Sequence, residues 1–372
     1  MDPFHLIVLA VVAGLVFDIT NGWNDSANAI ATVVSTRVLS PAVALGLSAI
    51  LNFVGALASI KVAKTMGSGV VDLPVALSSV AIVLAAMLAA AAWVTWCTRL
   101  GLPISCSHSL VGGLVGSAVG SVGWSAVKWS GLKKILIALF ASPLIGLVLG
   151  YLFIIGVTWM ARRMTPRTGR HTFGKLQILS ASFMAYQHGQ NDAQKVMGVL
   201  ALALFTGGYL HKDGVVITDI KDLFIPTWVI LACAGAMAFG TAVGGWRVIQ
   251  TIGSKLSRIT PVEGFAAETA GGLVLEIAAK LGVPVSTTHT ITGAIVGVGA
   301  AKGAHAVQWG IGAKILSAWF FTLPACFVLG ALLSWVSIQT SPTVMTLGVV
   351  VVTIVTFLAA KFRRNSEADV PT

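Results

Sequence analysis

Charged side chains are scarce in this chain and make up only 10% of its 372 residues. A soluble domain draws about a quarter of its residues from the charged set, so an ordinary water-facing surface is excluded. Cysteine is also rare, and the four thiols have no metal-ligand spacing that would indicate a zinc site or a disulfide framework. The sequence contains no phosphate loop, dinucleotide fingerprint, nucleophilic triad motif or metal-hydrolase spacing. It therefore gives no support to an enzyme.

Apolar segments, by contrast, fill the sequence. Hydrophobic residues make up 56% of the chain, and its mean hydropathy is +0.90. Runs of about 20 apolar residues, each long enough to span the hydrocarbon core of a bilayer, recur from end to end. The sequence predicts an all-α polytopic membrane protein, surrounded by lipid, with roughly 10–12 membrane segments.

The net charge of +11 comes mainly from short loops between the apolar runs. The most basic loop, residues 161–176, contains five Lys and Arg residues and no acid. An excess of Lys and Arg is typical of cytoplasmic loops, so the charge indicates orientation in the membrane and not a nucleic-acid partner. The predicted division is a first transmembrane repeat (1–160), a basic cytoplasmic linker (161–176), a second transmembrane repeat (177–340), and a C-terminal span and tail (341–372).

Two polar motifs interrupt the apolar sequence and are versions of one another. The first runs from Asn21 to Ala29 and the second from His188 to Lys195, with Asp25 and Asp192 at matched positions. Ionisable residues at membrane depth are costly and usually mark an ion or substrate path. Carboxylate and amide oxygens suit a small cation, and a buried acid can also hold a proton. The candidate coupling-ion residues are Asn21, Asn24, Asp25, Asn28, Asn191 and Asp192. A sodium ion would be held by Asp25 and Asp192.

Buried ion pairs that only fix helix packing are the alternative interpretation of these acids. Lys195 follows Asp192 by three positions and is an available partner for it, and the same lysine could equally face an anion. Two further acids, Glu268 and Glu276, lie within a predicted span. For them a structural pairing with Arg247 or Lys280 and a role in transport both remain open.

A second pair of matched motifs breaks the apolar runs with proline and then supplies hydroxyl groups. Gly101, Pro103 and His108 correspond to Gly282, Pro284 and His289 at one constant separation. A broken helix is expected in lipid only where its backbone is buried or lines a cavity. A helix that begins there points free N–H groups and a positive dipole end at the cavity, which favours an anion. The candidate anion ligands are Ser105, Ser107, His108, Ser109, Ser286, Thr287, Thr288, His289, Thr290 and Lys195.

Together these hydroxyls could enclose a tetrahedral oxyanion with neutral donors, and the two imidazoles could donate to it or exchange protons. The alternative is a pair of Pro-kinked helices whose Ser and Thr side chains bond back to their own carbonyls.

The matched motifs occur in the same order in both halves of the chain, which indicates that the two halves arose by duplication. If each Pro-containing segment counts as one crossing, the first repeat has an odd number of crossings, and the second repeat enters the membrane from the opposite face. This predicts two inverted-topology repeats with broken or re-entrant helices. If those segments only dip in and return, the repeats run parallel. The inverted arrangement is favoured because the basic linker and the basic C-terminal residues Lys361, Arg363 and Arg364 then lie on one side.

The paired motifs resemble those of the inorganic phosphate transporter (Pit) family, and in particular its bacterial low-affinity permeases. The residues that carry the resemblance are Asn21–Ala29, Pro103–His108, His188–Lys195, Gly244–Arg247 and Pro284–His289. The resemblance implies cation-coupled symport of inorganic phosphate across the bacterial cytoplasmic (inner) membrane, with both motif pairs lining the site. Sodium-coupled members keep a Val-Ala-Asn pattern, whereas the Gln194-Lys195 ending here is similar to members described as proton-coupled.

Several points stay open at this stage. The coupling ion is a proton or sodium. No cofactor is expected, and sodium is the one non-protein component that the protein could hold. The anion is phosphate, with a metal–phosphate complex as one alternative and sulfate, carried by some relatives, as another. An anion channel is a further alternative. The oligomeric state is also open, with a homodimer among the alternatives.

Overall fold

Helices form almost all of the protein in the computed structural model, which describes residues 3–74, 76–339, 347–356 and 358. The first half contains six helices: α1 (Pro3–Ser35), α2 (Pro41–Ala56), α3 (Lys61–Gly69), α4 (Leu77–Leu100), α5 (Cys106–Ser121) and α6 (Trp129–Ala161). The second half contains α7 (Pro166–Thr206), α8 (Thr227–Val243), α9 (Trp246–Gln250) with a π-helical turn (Thr251–Lys255), α10 (Pro261–Leu281), α11 (Thr287–Ala300) and α12 (Trp309–Gln339).

The remaining elements are short. They are the 3₁₀ turns Trp124–Ala126, Ile220–Asp222 and Ala304–Ala306, and a two-stranded hairpin of His211–Lys212 and Val215–Val216. Of the predicted C-terminal span and tail, a short apolar helix at Leu347–Thr356 is described. Lys361, Arg363 and Arg364 lie outside the described residues.

Four of the described helices, α1, α4, α6 and α12, are long and apolar enough to cross a membrane. Two sharply bent pairs, α2 with α3 at 70° and α8 with α9 and its π turn at 67°, raise this number to six. The predicted 10–12 segments are reached only if α5, α7, α10 and α11 are counted with them. The apolar window of α4 is 78% buried, whereas those of α6 and α12 are 28% and 22% buried, so α6 and α12 form the lipid-facing exterior.

The start of α7 differs from the predicted boundary between the halves. The helix begins at Pro166, so most of the basic segment 161–176 is helical and not a loop. Local chemistry explains this start, because the Thr165 hydroxyl accepts a hydrogen bond from the Thr168 N–H and proline suits the first helical position.

The two repeats have opposite orientations. α1 and α7 carry the matched acidic motifs, and they lie against each other antiparallel. The Phe4 ring, near the start of α1, contacts the ring of Tyr209, just past the end of α7. Near the other ends, the Thr36 hydroxyl donates to Gln177 Oε1 over 2.8 Å. Because equivalent helices run in opposite directions, the inverted-repeat prediction is confirmed.

The matched glycines of the acidic motifs allow unusually close helix crossings. A Cβ atom on Gly22 of α1 would lie 2.4 Å from the Met237 carbonyl oxygen of α8. A Cβ atom on Gly189 of α7 would lie 2.1 Å from the Asn52 carbonyl oxygen of α2. Close approach of this kind is the usual reason for small residues at membrane helix interfaces. The crossings fix the backbone on either side of Asp25 and Asp192.

The repeats interlock instead of forming two separate bodies. Gly116 of α5 packs against the Phe327 backbone of α12, and Gly297 of α11 packs against the Leu147 backbone of α6. Each half-helix that follows a proline break therefore lies on the last long helix of the other repeat. The division at residues 160–177 is a division of the sequence, and the packed core is shared.

Candidate functional site

The two proline motifs form true helix breaks with new helix starts. Gly101 caps the end of α4 and Gly282 caps the end of α10, both with left-handed backbone (φ of 71° and 67°), which favours glycine. A short extended stretch follows each break, and then Ser105 caps α5 and Ser286 caps α11. Each capping hydroxyl accepts the N–H three residues later, at 3.1 Å and 3.2 Å. The predicted broken helices are confirmed.

These two helix starts meet inside the protein. The Ser107 hydroxyl at the start of α5 donates to the carbonyl of Val285, just before α11, over 3.2 Å. All nine Ser, Thr and His residues of the two motifs are buried: Ser105, Ser107, His108, Ser109, Ser286, Thr287, Thr288, His289 and Thr290. Two positive helix ends thus lie next to each other, close to the acidic motifs of α1 and α7.

Only three of these hydroxyls contact the acidic motifs. Thr288 donates to Asp25 Oδ1, and Thr287 donates to Asp192 Oδ2, both over 2.8 Å. Ser107 accepts from the Lys195 ammonium over 2.6 Å.

The other hydroxyls of the two motifs are used locally. Ser109 and Thr290 donate to carbonyl oxygens one turn back in their own helices, at 3.2 Å and 2.8 Å. Ser105 and Ser286 serve as caps. The alternative interpretation, that hydroxyls bond to their own helices, therefore describes part of each motif.

The acidic centre joins the two repeats. Ligand atoms of Asp25, His188 and Asp192 all lie within 4.8 Å of one another, and all three side chains are buried. Lys195 Nζ lies 2.5 Å from Asp192 Oδ1, and His188 Nε2 lies 3.4 Å from Asp192 Oδ2. Lys195 is therefore the partner of Asp192. Asp25 has no ion pair of this kind among the described residues.

The predicted asparagines use their amide nitrogens and leave their oxygens free. Asn28 Nδ2 donates to Thr287 and Thr288 at 3.2 Å and 3.1 Å, Asn24 Nδ2 donates to Thr98 at 2.8 Å, and Asn191 Nδ2 donates to the Leu275 carbonyl at 3.2 Å. The amide oxygens of Asn21, Asn24, Asn28 and Asn191 are buried and have no hydrogen-bond partner in the part of the chain that the structure describes. Unpartnered buried oxygens of this type can ligate a hard cation.

The two histidines come together beside an apolar cavity. Their ring centroids are 4.8 Å apart, and His289 also stacks on Trp319 at 3.8 Å. Both rings line a cavity of about 880 Å³ whose wall includes Phe140 and Trp319. The ring contacts of His108 and His289 are with each other and with aromatic side chains, so a role in donation or proton exchange stays a prediction.

Sequence reasoning missed two buried polar residues. Asp18 is fully buried, with Asn21 and the Cys233 thiol beside it, and neither carboxylate oxygen has a hydrogen-bond partner among the described residues. It precedes Asp25 by two helical turns, and that spacing could have pointed to it. His188 lies in the second motif, and the sequence assigned it no role of its own. It contacts Asp192 and also forms a 2.9 Å hydrogen bond to Asn52.

Glu268 is the acid in α10 whose role the sequence leaves open. It is fully buried and accepts hydrogen bonds from Thr32, Ser180 and Gln177, which lie on two other helices. It is therefore part of a polar cluster next to α1 and α7. Glu276 forms an ion pair with Lys280 at 2.8 Å, which is the structural alternative given above.

Comparison with known proteins identifies close relatives. The model of the phosphate transporter family matches residues 21–330. A probable low-affinity inorganic phosphate transporter of Rhizobium meliloti is 45% identical over 332 residues, which are 88% of this chain and 96% of that protein. A protein of the same description from Bacillus subtilis is 41% identical, with 88% and 96% covered. A solved structure, the sodium-dependent phosphate transporter, has a TM-score of 0.80 at 23% identity over 91% of this chain and 100% of that one. This last likeness shows a shared fold.

Proposed function

The chain belongs to the phosphate transporter family, and we propose that it carries inorganic phosphate across the bacterial cytoplasmic membrane as a cation-coupled symporter. The family consists of transporters and not enzymes, in agreement with the sequence. The observation that carries the proposal is the meeting of two buried helix N-termini beside Asp25 and Asp192. Such a site offers donors for an anion and acceptors for a cation within one buried centre.

The anion is bound by donors from both repeats. The free N–H groups and positive ends of α5 and α11 attract it, and the Thr288 hydroxyl donates to its oxygens once a cation has released it from Asp25. The Lys195 ammonium adds a fixed positive charge, and it donates to the Ser107 hydroxyl over 2.6 Å. Ser109 and Thr290 have no direct part, because their hydroxyls bond within their own helices.

One threonine hydroxyl couples the anion to the cation. A hydroxyl has a single proton to donate, and Thr288 and Thr287 give theirs to Asp25 and Asp192. A proton or sodium ion on Asp25 releases the Thr288 hydroxyl, which can then donate to phosphate. Each ligand thereby strengthens the binding of the other, and thermodynamic linkage makes this effect reciprocal.

Phosphate uptake into proteoliposomes, with sodium and proton gradients imposed separately, tests this function. We expect accumulation above the external concentration with at least one of the two gradients. Flux that follows the phosphate gradient alone and ignores both cations would show a channel. Unlabelled sulfate is the competitor, and inhibition equal to that by phosphate would contradict phosphate as the substrate. Uptake that requires a divalent metal would identify the metal–phosphate complex.

A matched pair of variants in α11 tests the coupling residues. Thr288→Val removes the hydroxyl that contacts Asp25, and Thr290→Val removes one that contacts only its own helix. We expect Thr288→Val to lose cation-driven accumulation and Thr290→Val to keep it. Equal loss in both variants would mean that the effect comes from helix packing.

A further inference from the structure

We propose that the Lys195 ammonium is a tethered cation that permanently fills one of two repeat-related cation sites, so that only the site at Asp25 exchanges an ion. This inference rests on the cation-coupled transport proposed above. It explains why the second acidic motif has Lys195 where the first has Asn28.

The surroundings of Lys195 Nζ are those of a bound hard cation. The ammonium donates to Asp192 Oδ1 at 2.5 Å, to the Ser107 hydroxyl at 2.6 Å and to the Val285 carbonyl at 2.6 Å. The side chain is 2% exposed. A carboxylate, a hydroxyl and a backbone carbonyl are the oxygen types that bind a small metal cation, and here they surround a nitrogen that carries the same charge.

The repeat relation locates the equivalent point in the first half. Asp192 corresponds to Asp25, Lys195 to Asn28, Ser107 to Thr288, and Val285 to Ile104. The point equivalent to Lys195 Nζ is therefore surrounded by the Asp25 carboxylate, the Thr288 hydroxyl and the Ile104 carbonyl. In this half the matched residue is an asparagine and brings no charge.

The atoms around Asp25 agree with an exchangeable site. Asn28 donates to the hydroxyls of Thr287 and Thr288, and its own Oδ1 has no partner among the described residues. Asp25 accepts a hydrogen bond from Thr288 and, in the same part of the chain, has no basic ion-pair partner. A buried carboxylate without a counter-charge is costly at membrane depth, so this half favours the entry of a cation.

The variant Lys195→Asn restores the residue of the first repeat and tests the inference in the full-length reconstituted protein. Phosphate uptake is measured at fixed pH and fixed membrane potential while sodium is varied. We expect the exponent with which uptake depends on sodium concentration to rise by one. A tenfold drop in subsaturating sodium then lowers uptake about tenfold more than in the wild type. Lys195→Arg is the matched control, because it keeps a tethered charge and should keep the wild-type dependence. A sodium dependence of Lys195→Asn equal to that of the wild type would overturn the proposal.

Stability in sodium supplies a readout that does not depend on transport. In Lys195→Asn, Asp192 loses its counter-charge, so sodium should raise the thermal unfolding temperature of this variant more than that of the wild type. A variant that folds only in sodium also supports the proposal, whereas one that fails to fold at every sodium concentration contradicts it. If the wild type exchanges no phosphate, the proposed transport function fails, and this stability measurement still decides the role of Lys195.

The reciprocal variant Asn28→Lys places an ammonium at the first site. We expect phosphate exchange that no longer responds to sodium or proton concentration, because both sites then hold a tethered cation. Cation dependence that persists in Asn28→Lys would refute the equivalence of the two positions.

Discussion

The two matched aspartates should respond very differently to the same substitution. Asp192 lies 2.5 Å from the Lys195 ammonium and 3.4 Å from His188 Nε2. Asp25 accepts one 2.8 Å hydrogen bond from Thr288. Replacement of either carboxylate by the isosteric amide removes a negative charge without changing side-chain volume. The difference between the two variants therefore measures the electrostatic surroundings and not the packing.

The expected magnitude follows from what each change leaves behind. Asp192→Asn leaves the Lys195 ammonium, which is 2% exposed, without its carboxylate. Removal of one partner of a buried ion pair costs about 3–5 kcal/mol of folding free energy. Asp25→Asn leaves no unpaired charge, and the amide oxygen can still accept from Thr288. Because this hydrogen bond is kept and the buried charge removed had no counter-charge, the unfolding free energy should change by no more than about 1 kcal/mol.

Equilibrium unfolding of the purified variants in detergent measures both values. The double variant Asp192→Asn with Lys195→Met closes the thermodynamic cycle, and it should recover most of the stability lost in Asp192→Asn because no buried charge is left unpaired. Equal unfolding free energies of Asp192→Asn and Asp25→Asn would refute this reasoning, as would a double variant no more stable than Asp192→Asn.

Three other predictions follow from the packing and the hydrogen bonds. Gly189→Ala should lower the unfolding free energy by about 1–3 kcal/mol, because its Cβ would lie 2.1 Å from a neighbouring carbonyl oxygen. Gly235→Ala, where a Cβ meets nothing within 4 Å, is the helical control and should not destabilise in the same assay. In Glu268→Gln, a carboxylate oxygen that accepts a hydrogen bond is replaced by an amide nitrogen, which cannot accept one. This change should lower the unfolding free energy by about 1–3 kcal/mol. Ser107→Ala removes the hydroxyl that accepts from the Lys195 ammonium and should weaken apparent phosphate affinity in uptake assays, whereas Ser109→Ala should leave it unchanged.

The sequence predicted the architecture well because duplication leaves a record in it. The matched motifs around Asp25 and Asp192 identified the repeats, and the count of crossings predicted their inversion. Helix breaks were also visible, since glycine, proline and a capping serine have local preferences that do not depend on the rest of the chain.

Side-chain direction could not be read in the same way. Ser107 and Ser109 are two positions apart in one motif, yet one contacts Lys195 and the other bonds to its own helix. The partners of Glu268 also come from α1 and α7, far away in sequence. Such contacts are set by how helices cross, and a single sequence carries no record of that packing.

The exchange of half-helices between the repeats has a consequence for biosynthesis. α5 is Gly-rich and packs against the backbone of α12. The ribosome synthesises α12 some 200 residues after α5. Until then the newly made N-terminal half holds a short helix that packs on α4 but lacks its contact with α12, beside Asp25, whose hydrogen-bond donor Thr288 lies in the other half. Maturation must therefore wait for the last long segment. Two fragments cut at residue 163 should give active protein only when both are made together in the same cell.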